Sequence, residues 1–336
     1  MAHMQDLADY AQARPNTAVA GALLTRGEAD CSYVRCDENS RFEIGSITKL
    51  FTALLLAEAS LDCRCSLDDP VDKFLPQGRA APNYRGMTIS LRHLATHSSG
   101  LPRLPLEMMR KEAHSTQPYE RWDRARLLAA YSQSNLTDPP GSVYRYSNFG
   151  FAILGAALEQ ILDGPFESLL AAVTRRLECP GIHLPSSEER ALLAVGRRVE
   201  PWNFAAFAPA GGATATLSDM ARFARHITLN PPPAVLLIQQ AQSTYPVSTS
   251  FDGHLRRGLT ALVSRIKPGR SKRTQTMGLG WHLSGDLQWH NGGTAGFRSF
   301  LGIQPAQAVA VVLAAHTDSV DQVGLSLLRR LPASVV

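Results

Sequence analysis

Phe42-Glu-Ile-Gly-Ser46-Ile-Thr-Lys49-Leu-Phe-Thr-Ala-Leu-Leu-Leu-Ala-Glu58 is where the period of the chain changes. From Ser46 onward Ile47, Leu50, Phe51, Leu54 and Leu55 recur at helical spacing up to Glu58, with further apolar residues beside them. A helix apolar around most of its circumference belongs inside a protein. Ser46 is expected as its N-terminal residue. Ser46 and Lys49 are three apart, so a hydroxyl and an amine share one helical face within hydrogen-bonding reach. A serine hydroxyl attacks carbonyls only when a base takes its proton, and an amine buried against apolar walls loses affinity for its own proton and becomes such a base. A serine N-cap followed by a surface lysine has the same spacing, so this pair alone does not decide.

Outward from this helix, the N-terminal side reads as a helix over 5–14, a Pro-Asn break, and two short paired strands over 17–24 and 31–34. On the C-terminal side, residues 62–204 carry helical stretches at 124–131, 149–162 and 166–177, divided by Pro- and Gly-containing loops. A loop at 208–213 precedes a helix over 217–227. The chain then turns to strands at 280–283, 287–290, 297–303 and 308–315, and closes with a helix over 320–331. Strands at both ends with helices between them predict an α+β fold. One antiparallel sheet is built from the two termini (5–61 plus 205–336) and flanked by helices, and a mainly helical region (62–204) is inserted.

Two further groups carry chemistry. Tyr144-Arg-Tyr146-Ser-Asn148-Phe-Gly150 stands between the Pro139-Pro-Gly141 turn and an apolar helix, where polar residues can face a cleft. A phenol near a lysine ammonium is expected to have a lowered pKa and to exchange protons with Ser46, while the Asn148 amide can hold both the lysine and a substrate carbonyl. Trp289-His290-Asn291-Gly292-Gly293-Thr294 reads as a strand running into a glycine pair, whose backbone N–H groups a substrate carbonyl can reach. An aromatic anchor with an Asn cap, or a glycine hairpin, would explain either group in isolation.

The three groups stand in the order SxxK, YxN, HxG, and the chain resembles the class C β-lactamases, the related DD-peptidases and the esterases of that family. The segments 42–49, 89–102, 146–150 and 208–213 resemble the family in wording as well, and together the likeness runs from about residue 17 to the last helix. The resemblance implies a β-lactamase/transpeptidase-like fold with the active site between the sheet part and the helical part, and a serine hydrolase that forms a covalent acyl-enzyme, needing no cofactor or metal. Ser46 would be the nucleophile, and Lys49 and Tyr146 would share base and acid duties in an order the sequence leaves open. Asn148, His290, Gly292 and Gly293 would bind substrate, with the Ser46 and Gly293 N–H groups as the oxyanion hole.

The substrate is expected to be a small-molecule ester or amide, or a peptide, in the manner of an esterase or D-peptidase, with transacylation as a variant. β-Lactams and cell-wall peptides are the alternative. The family's β-lactamases often carry lysine where this chain has His290, and a histidine with an ordinary pKa near 6.5 is mostly neutral at pH 7. A fixed charge for a substrate carboxylate is therefore missing at that position. A non-catalytic relative kept as a binding module is the reading from another class, and three intact motifs argue against it.

Composition narrows the choices further. Charged residues are 19% and the net charge of +5 is scattered, so nucleic acid is not an expected partner. The densest basic stretch, 267–273, reads as a solvated loop or as a patch that steers anionic substrates. No window is apolar for long enough to span a bilayer. Met1-Ala-His-Met4 has the look of a vector remnant before a native start at Met4, which predicts a cytoplasmic protein; a leader removed beforehand would place it in the periplasm or outside the cell. Five cysteines without metal or redox spacing read as free thiols. His93 and His97 have ligand spacing without a partner glutamate and read as structural, and the region 102–122 with Met108, Met109, Tyr119 and Trp122 reads equally as pocket wall or local core.

Overall fold

The computed structural model describes residues 4–76, 81–112, 115–136, 138–192, 200–229, 231–248, 273–304, 308–315 and 318–329. Met1 to His3, and the basic stretch 267–273 apart from Arg273, lie outside the described residues. The N-terminal part supplies α1 (Gln5–Gln12), β1 (Ala18–Thr25), β2 (Glu28–Val34), β3 (Arg41–Glu43) and α2 (Thr48–Leu61). A small hairpin of β4 (Asn83–Tyr84) and β5 (Met87–Thr88) is followed by α3 (Leu91–Ala95), α4 (Leu106–Lys111), α5 (Arg124–Ser132), α6 (Asn148–Ile161), α7 (Phe166–Arg176) and α8 (Ser187–Leu192). The chain returns through α9 (Ala208–Gly211), β6 (Thr214–Thr216), α10 (Leu217–Leu229) and α11 (Pro233–Gln240). The last elements are β7 (Ser243–Pro246), β8 (Thr274–Met277), β9 (His282–Ser284), β10 (Leu287–Gly293), β11 (Arg298–Gln304), β12 (Ala308–Ala315) and α12 (Asp321–Arg329).

Eight strands form one sheet in the order β2-β1-β12-β11-β10-β9-β8-β7, antiparallel throughout. The two termini therefore build the sheet together, as their strand patterns predict, and β12 is central because both of its faces are covered. Val309, Val311 and Leu313 enter the core shared with α2 and α10, while Ala310, Val312 and Ala314 enter a second core with Leu7 of α1 and Leu327 of α12. Burial on both faces is why this strand is a continuous apolar run with no alternation.

α2 is the buried helix that its sequence predicts. Leu50, Phe51, Leu54, Leu55 and Leu56 are all buried, each such side chain stabilising the fold by about 2 kcal/mol. The helix packs against α6, α7, α9 and α11. Its start differs from expectation: Gly45–Ile47 form one turn of 3-10 helix and the α-helix begins at Thr48, so Ser46 stands one turn ahead of the helix. Thr48 causes this, because its hydroxyl donates to the Gly45 carbonyl (2.7 Å) and accepts from Ala213 N (3.1 Å), drawing the turn tight. The segment 208–213, read as a loop, opens with the single helical turn α9. The strands β7 and β8 and the helix α11 were not anticipated. Ser243-Thr-Tyr-Pro is the edge strand and Thr274-Gln-Thr-Met the strand beside it, and their partly exposed polar residues leave little apolar alternation to read.

Candidate active site

Ser46 is half-buried on its 3-10 turn, and the turn is held on both sides. Ile44 N donates to the Ala213 carbonyl (3.0 Å), and the Ile44 carbonyl accepts from Ser299 Oγ (2.7 Å). Gly45 has φ +51°, and a Cβ there would lie 2.7 Å from the Gly293 nitrogen, so only glycine lets the turn meet the end of β10. Gly292 is buried where any side chain would strike the Ile44 carbonyl and Ser299 Oγ. The bare backbone of Gly292 thus seats the nucleophile's turn, whereas Gly293 is exposed.

Lys49, in the first turn of α2, is 0% exposed. Its Nζ lies 2.9 Å from Ser46 Oγ, 2.9 Å from Asn148 Oδ1 and 2.6 Å from the Ala210 carbonyl. Burial, reinforced by the Arg103 charge, holds its pKa well below that of an ordinary lysine. The other side of Ser46 Oγ accepts from the Tyr146 hydroxyl at 2.7 Å. Contrary to the lowered value expected from its sequence context, Tyr146 is pushed up to about 12. Burial disfavours the phenolate more than the Arg103 charge and the Ser46 hydrogen bond favour it, and the neighbouring lysine, itself driven toward the neutral amine, supplies no attraction.

Tyr146 and Asn148 are placed by Ser147, whose hydroxyl caps α6 by accepting from Gly150 N (2.8 Å) and donates to the Pro102 carbonyl (2.6 Å). The Ser147 amide donates to His97 Nδ1 at 3.0 Å. Asn148 Nδ2 donates to the Tyr119 hydroxyl (3.1 Å), which leaves Oδ1 to face Lys49. His93 forms a reciprocal cap with Ser90, and each histidine of the 93/97 pair accepts a backbone N–H on its Nδ1. In the region 102–122, Met108 and Trp122 belong to the core, while Arg103 and Tyr119 reach the site.

His290 is 0% exposed behind Tyr146, with ring centroids 6.3 Å apart and Nδ1 2.6 Å from the Asn291 carbonyl. Burial first, then His282 and Lys49, push its pKa well below 6.5, so it is neutral at physiological pH. The structure thus brings Ser46, Lys49, Tyr146 and Asn148 into one hydrogen-bonded group and Gly293 beside it, and places His290 and Gly292 behind that group. Sequence reasoning missed Tyr119 as the partner of Asn148, the Ala210 carbonyl, Glu43 and Arg103. Arg103 is exposed, with its guanidinium 5.1 Å over the Tyr146 ring. Ala210 left a trace, since 208–213 is one of the family-like segments.

A family model described as Beta-lactamase matches residues 9–332. The chain belongs to the beta-lactamase family. It is a serine hydrolase by that membership, and its fold is the β-lactamase/transpeptidase-like one. The D-alanyl-D-alanine-carboxypeptidase/endopeptidase AmpH of Escherichia coli K12 is 28% identical over 287 residues, 82% of this chain and 71% of that protein. A beta-lactamase of the same organism is 26% identical over 311 residues, covering 84% of this chain and 76% of the relative. Among solved structures, a beta-lactamase/D-alanine carboxypeptidase from Pseudomonas syringae superposes with a TM-score of 0.75 at 17% identity, covering 98% of each chain. A D-stereospecific amidohydrolase from a Streptomyces species superposes with a TM-score of 0.71 at 20% identity, over 99% of this chain and 98% of the other. No helix among the described residues is long and apolar enough to cross a membrane.

Proposed function

We propose that Ser46 forms a covalent acyl-enzyme and that Lys49, as the neutral amine, is the first base. One observation carries this reading: Lys49 is completely buried, which disfavours the ammonium, and two of the three groups around its Nζ, the Ala210 carbonyl and Asn148 Oδ1, take the two N–H groups that remain. A neutral amine has two N–H groups and a lone pair. It spends the N–H groups on those two oxygens and turns the lone pair to the Ser46 hydroxyl at 2.9 Å. Tyr146, held in the neutral form, stays a donor.

In the proposed sequence, Lys49 takes the Ser46 proton as Oγ bonds to the carbonyl carbon, and the resulting oxyanion accepts from the N–H groups of Ser46 and Gly293. The tetrahedral intermediate collapses, the bond to the leaving nitrogen or oxygen breaks, and that atom takes the Tyr146 proton. Lys49 then returns a proton to Tyr146. Water, or another acceptor in transacylation, reverses these steps. The group sits where the sheet part (5–61 plus 205–336) meets the helical part (62–204), and Asn148 and Gly293 orient the carbonyl.

The substrate class that fits is an ester or amide of a small molecule or a D-amino-acid peptide. The neutral, buried His290 offers no charge to a carboxylate, and the D-stereospecific amidohydrolase among the similar proteins points the same way. Hydrolysis of β-lactams or cell-wall peptides is the second reading, supported by similarity to the Escherichia coli carboxypeptidase AmpH and beta-lactamase over most of both chains. Intact mass spectrometry after exposure to a fluorophosphonate, a penicillin and p-nitrophenyl esters tests both. An adduct is expected on the native chain and not on Ser46→Ala. A native chain that neither acquires an adduct nor turns any of them over refutes the acyl-enzyme, and Lys49→Ala acylated at the native rate refutes the base assignment.

A further inference from the structure

We propose that Glu43 is a positioning residue for acyl transfer, fixing the Gly293 N–H against the Ser46 turn by way of Thr294. The proposal rests on the reading of Ser46 and Gly293 given above. Glu43 ends β3, three residues before Ser46, and is 3% exposed. Its carboxylate accepts from the Thr294 hydroxyl at 2.6 Å and from Trp202 N at 2.9 Å. Thr294 directly follows Gly293, and its own backbone is held as well: its N–H donates to the Phe297 carbonyl (3.1 Å), and its carbonyl accepts from Arg298 Nη1 (2.6 Å).

The two N–H groups of the oxyanion hole come from pieces of chain about 250 residues apart, which the missing side chain of Gly45 allows to touch but does not tie. The carboxylate joins them at one end, while Ser299 Oγ on the Ile44 carbonyl joins them at the other. Donors aimed at a developing oxyanion help only as far as their positions are fixed in advance. A buried carboxylate is a costly group to place in a core, and a well-packed apolar residue there would favour stability instead.

The ionised form accepts from both partners, whereas in the protonated form the carboxyl donates to the Thr294 hydroxyl and keeps only Trp202 N as a donor. Burial pushes the Glu43 carboxyl up to about 7, the Thr294 and Trp202 hydrogen bonds oppose this, and the charged group facing it is Arg190 of α8. The clamp therefore tightens as pH rises through neutrality, when both hydrogen bonds become charge-assisted.

The test uses the full chain and a neutral fluorophosphonate, separating the limiting rate of Ser46 modification from the apparent affinity for the reagent between pH 6 and 9. Removing an oxyanion donor costs about 10²–10³ in rate, and a displaced one should cost about tenfold or more. Thr294→Val is expected to lose that much in limiting rate with its affinity little changed. Thr294→Ser, which keeps the hydroxyl, is expected to recover the rate. Glu43→Gln should lose the part of the wild-type pH dependence centred near 7. Variants modified at the wild-type rate with the wild-type pH profile overturn the proposal, and so does an equal loss in Thr294→Ser and Thr294→Val, which would assign the effect to packing. A wild type that takes no adduct instead removes the reading of Ser46, and this one with it.

Discussion

Glu43→Gln should make the protein more stable in alkali while making the enzyme slower. Glu43 has its carboxyl raised from 4.5 to about 7, chiefly by burial. Between those values the folded chain keeps a proton that the unfolded chain releases, so stability falls as pH rises from 4.5 through 7. At about 1.4 kcal/mol for each tenfold change in proton affinity, the whole window costs about 3 kcal/mol. Glutamine has the same shape, never ionises, and its carbonyl oxygen can accept from Trp202 N. Urea denaturation of wild type and Glu43→Gln at pH 4.5 and 8.5 measures the effect. The variant's stability relative to wild type should improve by about 3 kcal/mol from the lower pH to the higher one. If that difference moved by less than about 1 kcal/mol, the carboxyl would not be perturbed by its burial and the reasoning would fail.

Tyr146→Phe removes the hydroxyl that donates to Ser46 Oγ and should lower acylation by about 10²–10⁴ with anilide or amide substrates, which need a protonated leaving group. The loss should be smaller with p-nitrophenyl esters, whose leaving group needs no proton; equal losses in steady-state kinetics would count against the acid role. Gly292→Ala should destabilise the fold by about 1–3 kcal/mol, because its methyl meets the Ile44 carbonyl and Ser299 Oγ, and chemical denaturation at wild-type stability would show that the turn is not seated on this strand.

The sequence by itself was enough for the elements whose neighbours leave a periodic mark. α2 is apolar all round because helices enclose it, and β12 is apolar without alternation because two cores meet on it. The motif residues were legible for a related reason. Ser46 and Lys49 lie three apart in adjoining helical turns, and Tyr146 and Asn148 flank a helix cap, so local geometry alone predisposes each pair. The edge strand β7 and its neighbour β8 were not legible, since their partly exposed polar residues carry no apolar pattern. Nor were the protonation states. Lys49 is held neutral by walls from α2, α6 and α9 and Tyr146 by the rings of His97, His282 and His290, so the expectation of a lowered tyrosine pKa failed once the lysine's own charge was disfavoured. Tertiary structure alone brought the Ala210 carbonyl to Lys49 across 161 residues and Thr294 to Glu43 across 251. Hydrogen bonds over such separations leave no spacing rule in the chain, and they are what join a serine near a lysine into one connected site.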